Sequence, residues 1–352
     1  MLPEVSRTFA LNIPVLPAPL DLVVTVAYLL CRIADTLEDE ALGQVSERAD
    51  LFHTLGQLVA LEPEWQARAE DFSRRAVAAL RSSAPTAEVQ LVQGTLLVLQ
   101  AMAEQPQWTH RHIAACVREM TDGMAEVMAE LDGAAPRGLP NLEATLQYCY
   151  YVAGTVGVML TGLFIDGFAD VRPKGTELRP RAPAFGRALQ LTNILKDVRE
   201  DLDRGFCWLP RTLMAEHGLS PENLIAPGKR DQAVVMLDEL IAVARAECDV
   251  AFEYSLLIPP EEPGLRLFCL WPLFFALRTL AVLFHNPAVF EPAPVKIDRE
   301  TVMRIMVVTR ESVTDDAALR GLFDECARGL PAGRRACERR RRWQDRAPSS
   351  GA

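Results

Sequence analysis

Two acidic clusters with the same internal spacing constrain this chain more than any other feature. The segment YLLCRIADTLEDE carries Asp35, Glu38 and Asp39, and QLTNILKDVREDLDRG carries Asp197, Glu200 and Asp201. Each set stands at i, i+3 and i+4, which on a helix puts three carboxylates on one face, a turn apart. Like charges so placed cost an isolated helix about 0.2–0.5 kcal/mol per pair, and a single such cluster reads as a solvated surface. Here each follows an apolar, core-like run, residues 23–30 in one case and 189–195 in the other. The repetition predicts two helices facing each other across a cavity. Carboxylates arranged that way can recruit Mg²⁺, which keeps several waters and bridges to substrate phosphates.

The flanks continue the same faces. Tyr28, Arg32, Asp35 and Asp39 step by four, three and four, while Gln190, Asn193, Asp197 and Asp201 step by three, four and four. Such stripes make a poor core and a good diphosphate site. Arg32 suits phosphate oxygens, Asn193 suits a metal-bound water or phosphate, and the acids suit the metal.

The rest of the chain reads as helix. Runs rich in Ala, Leu and Glu are punctuated by Pro and Gly, with little strand-like alternation. Helices are expected near 20–40, 46–61, 63–81, 86–104, 108–132, 184–203 and 265–285, with another carrying Tyr148 and a polar Pro/Arg-rich joint at 168–183. No repeat or linker divides the chain, so one all-α bundle with a central cavity is expected over 1–330. Residues 331–352 form an Arg-rich tail that reads as solvated, or as an electrostatic contact to anionic lipid. A net charge of −10 argues against nucleic acid as a partner. Eight cysteines without a C-x-x-C pair read as reduced core thiols of a cytoplasmic protein. The first residues lack the basic and apolar regions of a secretory signal. Two apolar stretches, 148–165 and 267–284, read as buried core helices rather than membrane spans, leaving peripheral attachment to the inner membrane face as the alternative to a fully soluble chain.

With these motifs assembled, the chain resembles the squalene/phytoene synthase family from near its first residue to about residue 300. SRTF (Ser6, Arg7, Thr8, Phe9) resembles the family's N-terminal diphosphate-binding motif. YLLCRIADTLEDE and NILKDVRED resemble its two aspartate-rich regions, and YCYYVAGTVG (148–157) its tyrosine-bearing central helix. Four motifs in the right order make the resemblance specific. It implies that Asp35, Asp39, Asp197 and Asp201 are the Mg²⁺–diphosphate carboxylates, with Glu38 and Glu200 in support. It further implies that Ser6, Arg7, Arg32, Gln190, Asn193 and Lys196 contact diphosphates, that Phe9 and Tyr28 line the pocket, and that Tyr148 is catalytic. Lys196 stands where the family more often has arginine, which keeps the charge and loses the bidentate fork.

The activity implied is Mg²⁺-dependent 1′-1 coupling of two prenyl diphosphates, farnesyl diphosphate on the closest resemblance, through a cyclopropylcarbinyl diphosphate. The squalene branch of the family then reduces with NADPH, whereas phytoene and dehydrosqualene synthases lose a proton. DTLED, FCLWP (268–272) and the VF…VKI stretch (289–297) resemble the squalene branch, making Lys296 the candidate NADPH contact. Asp298 departs from the basic residue expected beside it. No GxGxxG fingerprint is present, so a dinucleotide site here is not of the Rossmann kind. A non-catalytic assembly protein on the same fold is the alternative from another class, and its expected loss of metal carboxylates is not seen here. Gly154 and Gly157 mark either close helix packing or room for an isoprenoid chain beside Tyr148.

Overall fold

The computed structural model describes residues 2–5, 7–131 and 138–331, the side chains of Arg7 and Thr8 excepted. Two short helices, α1 (Leu2–Val5) and α2 (Arg7–Asn12), lead through a 3₁₀ turn (Ile13–Val15) into α3 (Leu20–Glu40). Then come α4 (Val45–Leu58), α5 (Trp65–Ala79), α6 (Thr86–Gln93), α7 (Thr95–Ala103) and α8 (Gln107–Leu131). Further on, α9 (Leu142–Cys149), a π-helical turn (Tyr150–Gly154) and α10 (Thr155–Gly167) run on as one rod. They are followed by α11 (Gly175–Leu178), α12 (Ala182–Lys196), α13 (Val198–Asp203), α14 (Arg211–Glu216) and α15 (Arg230–Leu257). The described chain closes with α16 (Pro263–Leu283), α17 (Arg299–Ser312) and α18 (Asp316–Cys326). No β-strand occurs among the described residues, only isolated bridges such as Leu139 with Pro210.

Local chemistry sets many of these ends. Gln44 and Glu47 form a reciprocal capping box at the start of α4. Asn141 caps α9 by accepting from the Ala144 amide at 2.9 Å, and Asp315 caps α18. Pro263 opens α16, where its missing N–H is not needed.

The core gathers around α12, which packs against α15, α16, α10 and the π turn. Two glycines make that possible. A Cβ at Gly186 would lie 2.0 Å from the Ala153 carbonyl oxygen, and one at Gly157 would lie 2.3 Å from that of Ala182. Backbone therefore meets backbone where the Tyr148 rod crosses α12. Gly157 is thus a packing residue, while a Cβ at Gly154 would strike the ring of Tyr150.

Three expectations need correction. The helix expected over 184–203 is broken at Asp197 (φ −102°, ψ 13°), which ends α12 and begins α13. Its amide still donates to the Asn193 carbonyl at 2.9 Å and its carbonyl accepts from the Asp201 amide at 2.8 Å, so the four-residue hydrogen-bond ladder runs on across the break. The helix expected over 86–104 is interrupted at Gly94, and the joint at 168–183 folds into a 3₁₀ turn and α11. The rod Leu142–Gly167 and α16 are long and apolar enough to cross a membrane, but 72% and 78% of their most apolar windows are buried within the fold. Cys31, Cys116, Cys149, Cys207, Cys248, Cys269 and Cys326 are all buried free thiols. The Arg-rich segment from residue 332 onward lies outside the described residues.

Candidate active site

On α3 the apolar residues from Val23 onward are buried, while Tyr28, Arg32, Asp35 and Asp39 are only half-buried. The step of three and four that defines them in sequence is therefore one open stripe in space. At its upper end the rings of Phe9 and Tyr28 meet with centroids 5.1 Å apart. Arg32 is held by Glu88 of α6 and stands 3.7 Å from Asp35. At the lower end Asp39 is 3.0 Å from Arg204, which also reaches Glu40 at 3.5 Å. Arg81 braces the same turn, 3.1 Å from Glu40 and donating to the Asp39 carbonyl at 2.9 Å.

Across from it, α12 and α13 present Gln190 half-buried, Asn193 exposed, and Asp197 and Asp201 half-buried, with Glu200 exposed. Lys196 Nζ lies 3.0 Å from Asp197. The two stripes sense each other. Asp39 is among the charges that raise the pKa of Asp201, and Asp201 among those that raise Glu38. Arg204, one residue beyond α13, spans to Asp39.

Glu38 turns to a different neighbour. It is 6% exposed, and its Oε2 accepts a 2.8 Å hydrogen bond from the Tyr148 hydroxyl. Tyr148, 2% exposed, stacks on Trp208 with centroids 4.3 Å apart and planes 4° from parallel. Phe206 stacks in turn on Trp208 at 5.6 Å. The backbone bond from the Leu139 amide to the Leu209 carbonyl (3.0 Å) and the Thr145 hydroxyl donating to the Trp208 carbonyl (3.3 Å) lock this aromatic shelf under α9. A narrow crevice of about 10 Å³, lined by Phe206, Trp208, Val198 and Leu202, opens beside Asp201.

Crowded acids in a partly dry cleft resist ionisation. Burial, with the neighbouring Asp39 and Glu88, pushes the Asp35 carboxyl up to about 7 against the pull of Arg32. Burial and Asp197 push Asp201 up to about 7 against Arg204. Asp35 keeps 35% of its side-chain surface open, so water screens part of that effect. Burial and Asp39 raise Glu38 well above the ordinary carboxyl range, the Tyr148 hydrogen bond opposing them, and burial and Glu38 raise Tyr148 likewise.

These observations bear on a divalent cation. Among the described residues no three His, Cys, Asp or Glu side chains stand together as a ready ligand set. Negative charge nevertheless accumulates across the cleft, and Glu38 Oε1 is buried without a hydrogen-bond partner. Mg²⁺ needs only one or two carboxylates besides waters and substrate phosphates, so the donor set fits it.

Some expected residues lie apart or beyond view. Ser6 and the side chain of Arg7 lie outside the described residues. Lys296 is exposed on the extended stretch before α17, where Asp298 caps that helix by accepting from the Thr301 amide at 2.6 Å. The preceding 3₁₀ turn (Pro287–Phe290) packs on α13, with Arg199 donating to the Phe290 carbonyl at 3.4 Å. The described contacts tie Lys296 itself to neither acid cluster. Conversely, Glu88, Arg81, Arg204, Phe206 and Trp208 belong to the cleft and were not singled out in sequence. Arg204 had a signal, standing three residues after Asp201. Glu88 had none, because only packing brings α6 to Arg32.

Residues 2–301 match the family model for squalene/phytoene synthase. The chain belongs to the squalene/phytoene synthase family. Among curated members of that family, it is 27% identical to squalene synthase ERG9 of Gibberella zeae over 304 residues, covering 86% of this chain and 61% of that protein. It is 30% identical to the squalene synthase of Rattus norvegicus over 310 residues, covering 87% of this chain and 67% of that protein. The chain thus spans a little under or about two thirds of these relatives' length. The solved complex of TcSQS with the ligand BPH1237 superposes with a TM-score of 0.74 at 24% identity, covering 95% of this chain and 92% of that one. That likeness establishes the squalene-synthase type of helical fold.

Proposed function

We propose that this protein joins two farnesyl diphosphates head to head (1′-1) through a cyclopropylcarbinyl diphosphate and reduces the product with NADPH to squalene, with Mg²⁺ as the required ion. The observation that carries the reading is the pair of acid stripes facing each other across one cleft, with Arg204 spanning them and Tyr148 buried at the Glu38 end. Membership of the squalene/phytoene synthase family and the likeness to squalene synthases support it.

Asp35, Asp39, Asp197 and Asp201 would hold the ion, with Glu200 and Asn193 on the open side of the second stripe. Glu38 would anchor the Tyr148 hydroxyl through Oε2 and support the ion from Oε1, which has no hydrogen-bond partner. Bound Mg²⁺ supplies the positive charge that lets a diphosphate leave. Arg32 and Lys196 flank the two acid clusters, and their cationic groups suit diphosphate oxygens once released from Glu88 and Asp197. Gln190 adds a neutral donor. An allylic cation must be kept from water and near electron-rich surfaces. The parallel rings of Phe206, Trp208 and Tyr148 provide such a surface, and Phe9 with Tyr28 closes the other end of the α3 stripe. The Tyr148 hydroxyl, fixed on Glu38, is the group placed to hold or move a proton during ring formation. For NADPH, Lys296 is the candidate contact, exposed on the stretch before α17.

Product analysis tests the proposal. Incubation with farnesyl diphosphate and Mg²⁺ is expected to give squalene when NADPH is present. Dehydrosqualene formed equally with and without NADPH would replace the reading with a dehydrosqualene synthase. Asp35→Asn and Asp197→Asn are each expected to abolish turnover with an unchanged helical circular dichroism spectrum. Wild-type turnover in both would remove the metal role.

A further inference from the structure

A second cavity lies away from the acid cleft, among α16, α17 and α18. It encloses about 430 Å³ and is lined by Arg278, Arg304, Arg328 and Glu325, with an apolar wall that includes Ile305 and Val308. None of these residues sits on α3, α12 or α13. Three guanidiniums meet one carboxylate there. Arg304 pairs with Glu325 at 3.3 Å, an exposed contact with 59% and 45% of the two side chains open. Arg278 and Arg328 keep their charge uncompensated by that carboxylate. Arg278 is half-buried on α16, and its Nε is buried with no hydrogen-bond partner among the described residues.

A buried donor left unmet is unfavourable, and a guanidinium fork matches phosphate oxygens in both charge and geometry. The volume exceeds what a bare phosphate fills, and the apolar wall offers a place for a short hydrocarbon portion. We propose that this cavity is a second anion site that binds a phosphate dianion, a phosphomonoester or diphosphate, with Arg278 and Arg328 on its oxygens and Ile305 and Val308 against its stem. The phosphate can belong to a soluble ester or to a lipid headgroup, and binding measurements separate the two.

The test uses the full chain in EDTA, so that the acid cleft cannot capture the anion through a metal. Inorganic diphosphate is titrated by calorimetry, and flotation is measured with phosphatidylcholine vesicles with and without phosphatidate. Saturable binding of diphosphate identifies a soluble source, and flotation only with phosphatidate identifies a headgroup. Either is expected to weaken about tenfold or more in Arg278→Gln, to weaken also in Arg328→Gln, and to persist in Asp197→Asn. Circular dichroism checks folding of each variant. If Arg278→Gln fails to fold, the exposed Arg328 position decides alone. Absence of binding to both probes, or wild-type binding by the folded arginine variants, overturns the proposal.

Discussion

Replacing Asp201 by asparagine is expected to stabilise the metal-free protein above neutral pH while destroying its activity. Asp201 is pushed up to about 7 by burial and by Asp197, with Asp39 and Glu200 adding to the repulsion and Arg204 opposing it. A carboxyl held there in the folded state and near its ordinary value when unfolded binds more protons folded than unfolded between those two values. Stability therefore falls as pH rises through that window and levels off above about 7. The full shift corresponds to about 4 kcal/mol of disfavoured ionisation at pH 8 as an upper bound. Water in the cleft reduces the share that Asn recovers to about 1–2 kcal/mol. Urea unfolding from about pH 5 to 8 in EDTA measures it. The wild type is expected to lose stability across that range, and Asp201→Asn to lose less and to be the more stable protein at the alkaline end. Mg²⁺ at about a hundredfold excess over its Kd is expected to restore about 2.7 kcal/mol to the wild type and less to the variant. A flat wild-type profile, or a variant less stable at pH 8, would refute the argument that these carboxylates crowd one another.

Tyr148→Phe leaves both Glu38 oxygens without a partner, so a loss of about 1–3 kcal/mol in stability is expected, together with a drop in kcat larger than any change in KM. Unchanged steady-state kinetics would make Tyr148 a packing residue only. Gly186→Ala forces a methyl group into the Ala153 carbonyl and is expected to cost about 3 kcal/mol, read by the denaturation midpoint; a wild-type midpoint would mean that the α12 crossing relaxes freely. Trp208→Ala removes the ring stacked on Tyr148 and is expected to cost about 3–5 kcal/mol, with more water-quenched product among those released. Normal stability and product purity in that variant would take the aromatic shelf out of the reaction.

The helices and their open faces were legible because both are properties of a chain segment rotating about its own axis. The steps of three and four that join Tyr28, Arg32, Asp35 and Asp39 define a stripe wherever the helix is placed, and the apolar residues between them say which side is buried. Motif order sufficed for the family, since four separated motifs in sequence are specific. Periodicity carries no distance between one helix and another, and there tertiary structure decided. It turned Glu38, one residue off the stripe, onto Tyr148 from a helix 110 residues away in sequence. It brought Glu88 to Arg32 and Arg204 to Asp39, and slid Trp208 beneath the Tyr148 ring. It also bent the backbone out of helical dihedrals at Asp197, a break no proline or glycine announced. Hydrophobic pattern determines what each segment must hide; which polar groups then meet depends on how the hidden faces stack, and that is settled only when the whole core closes.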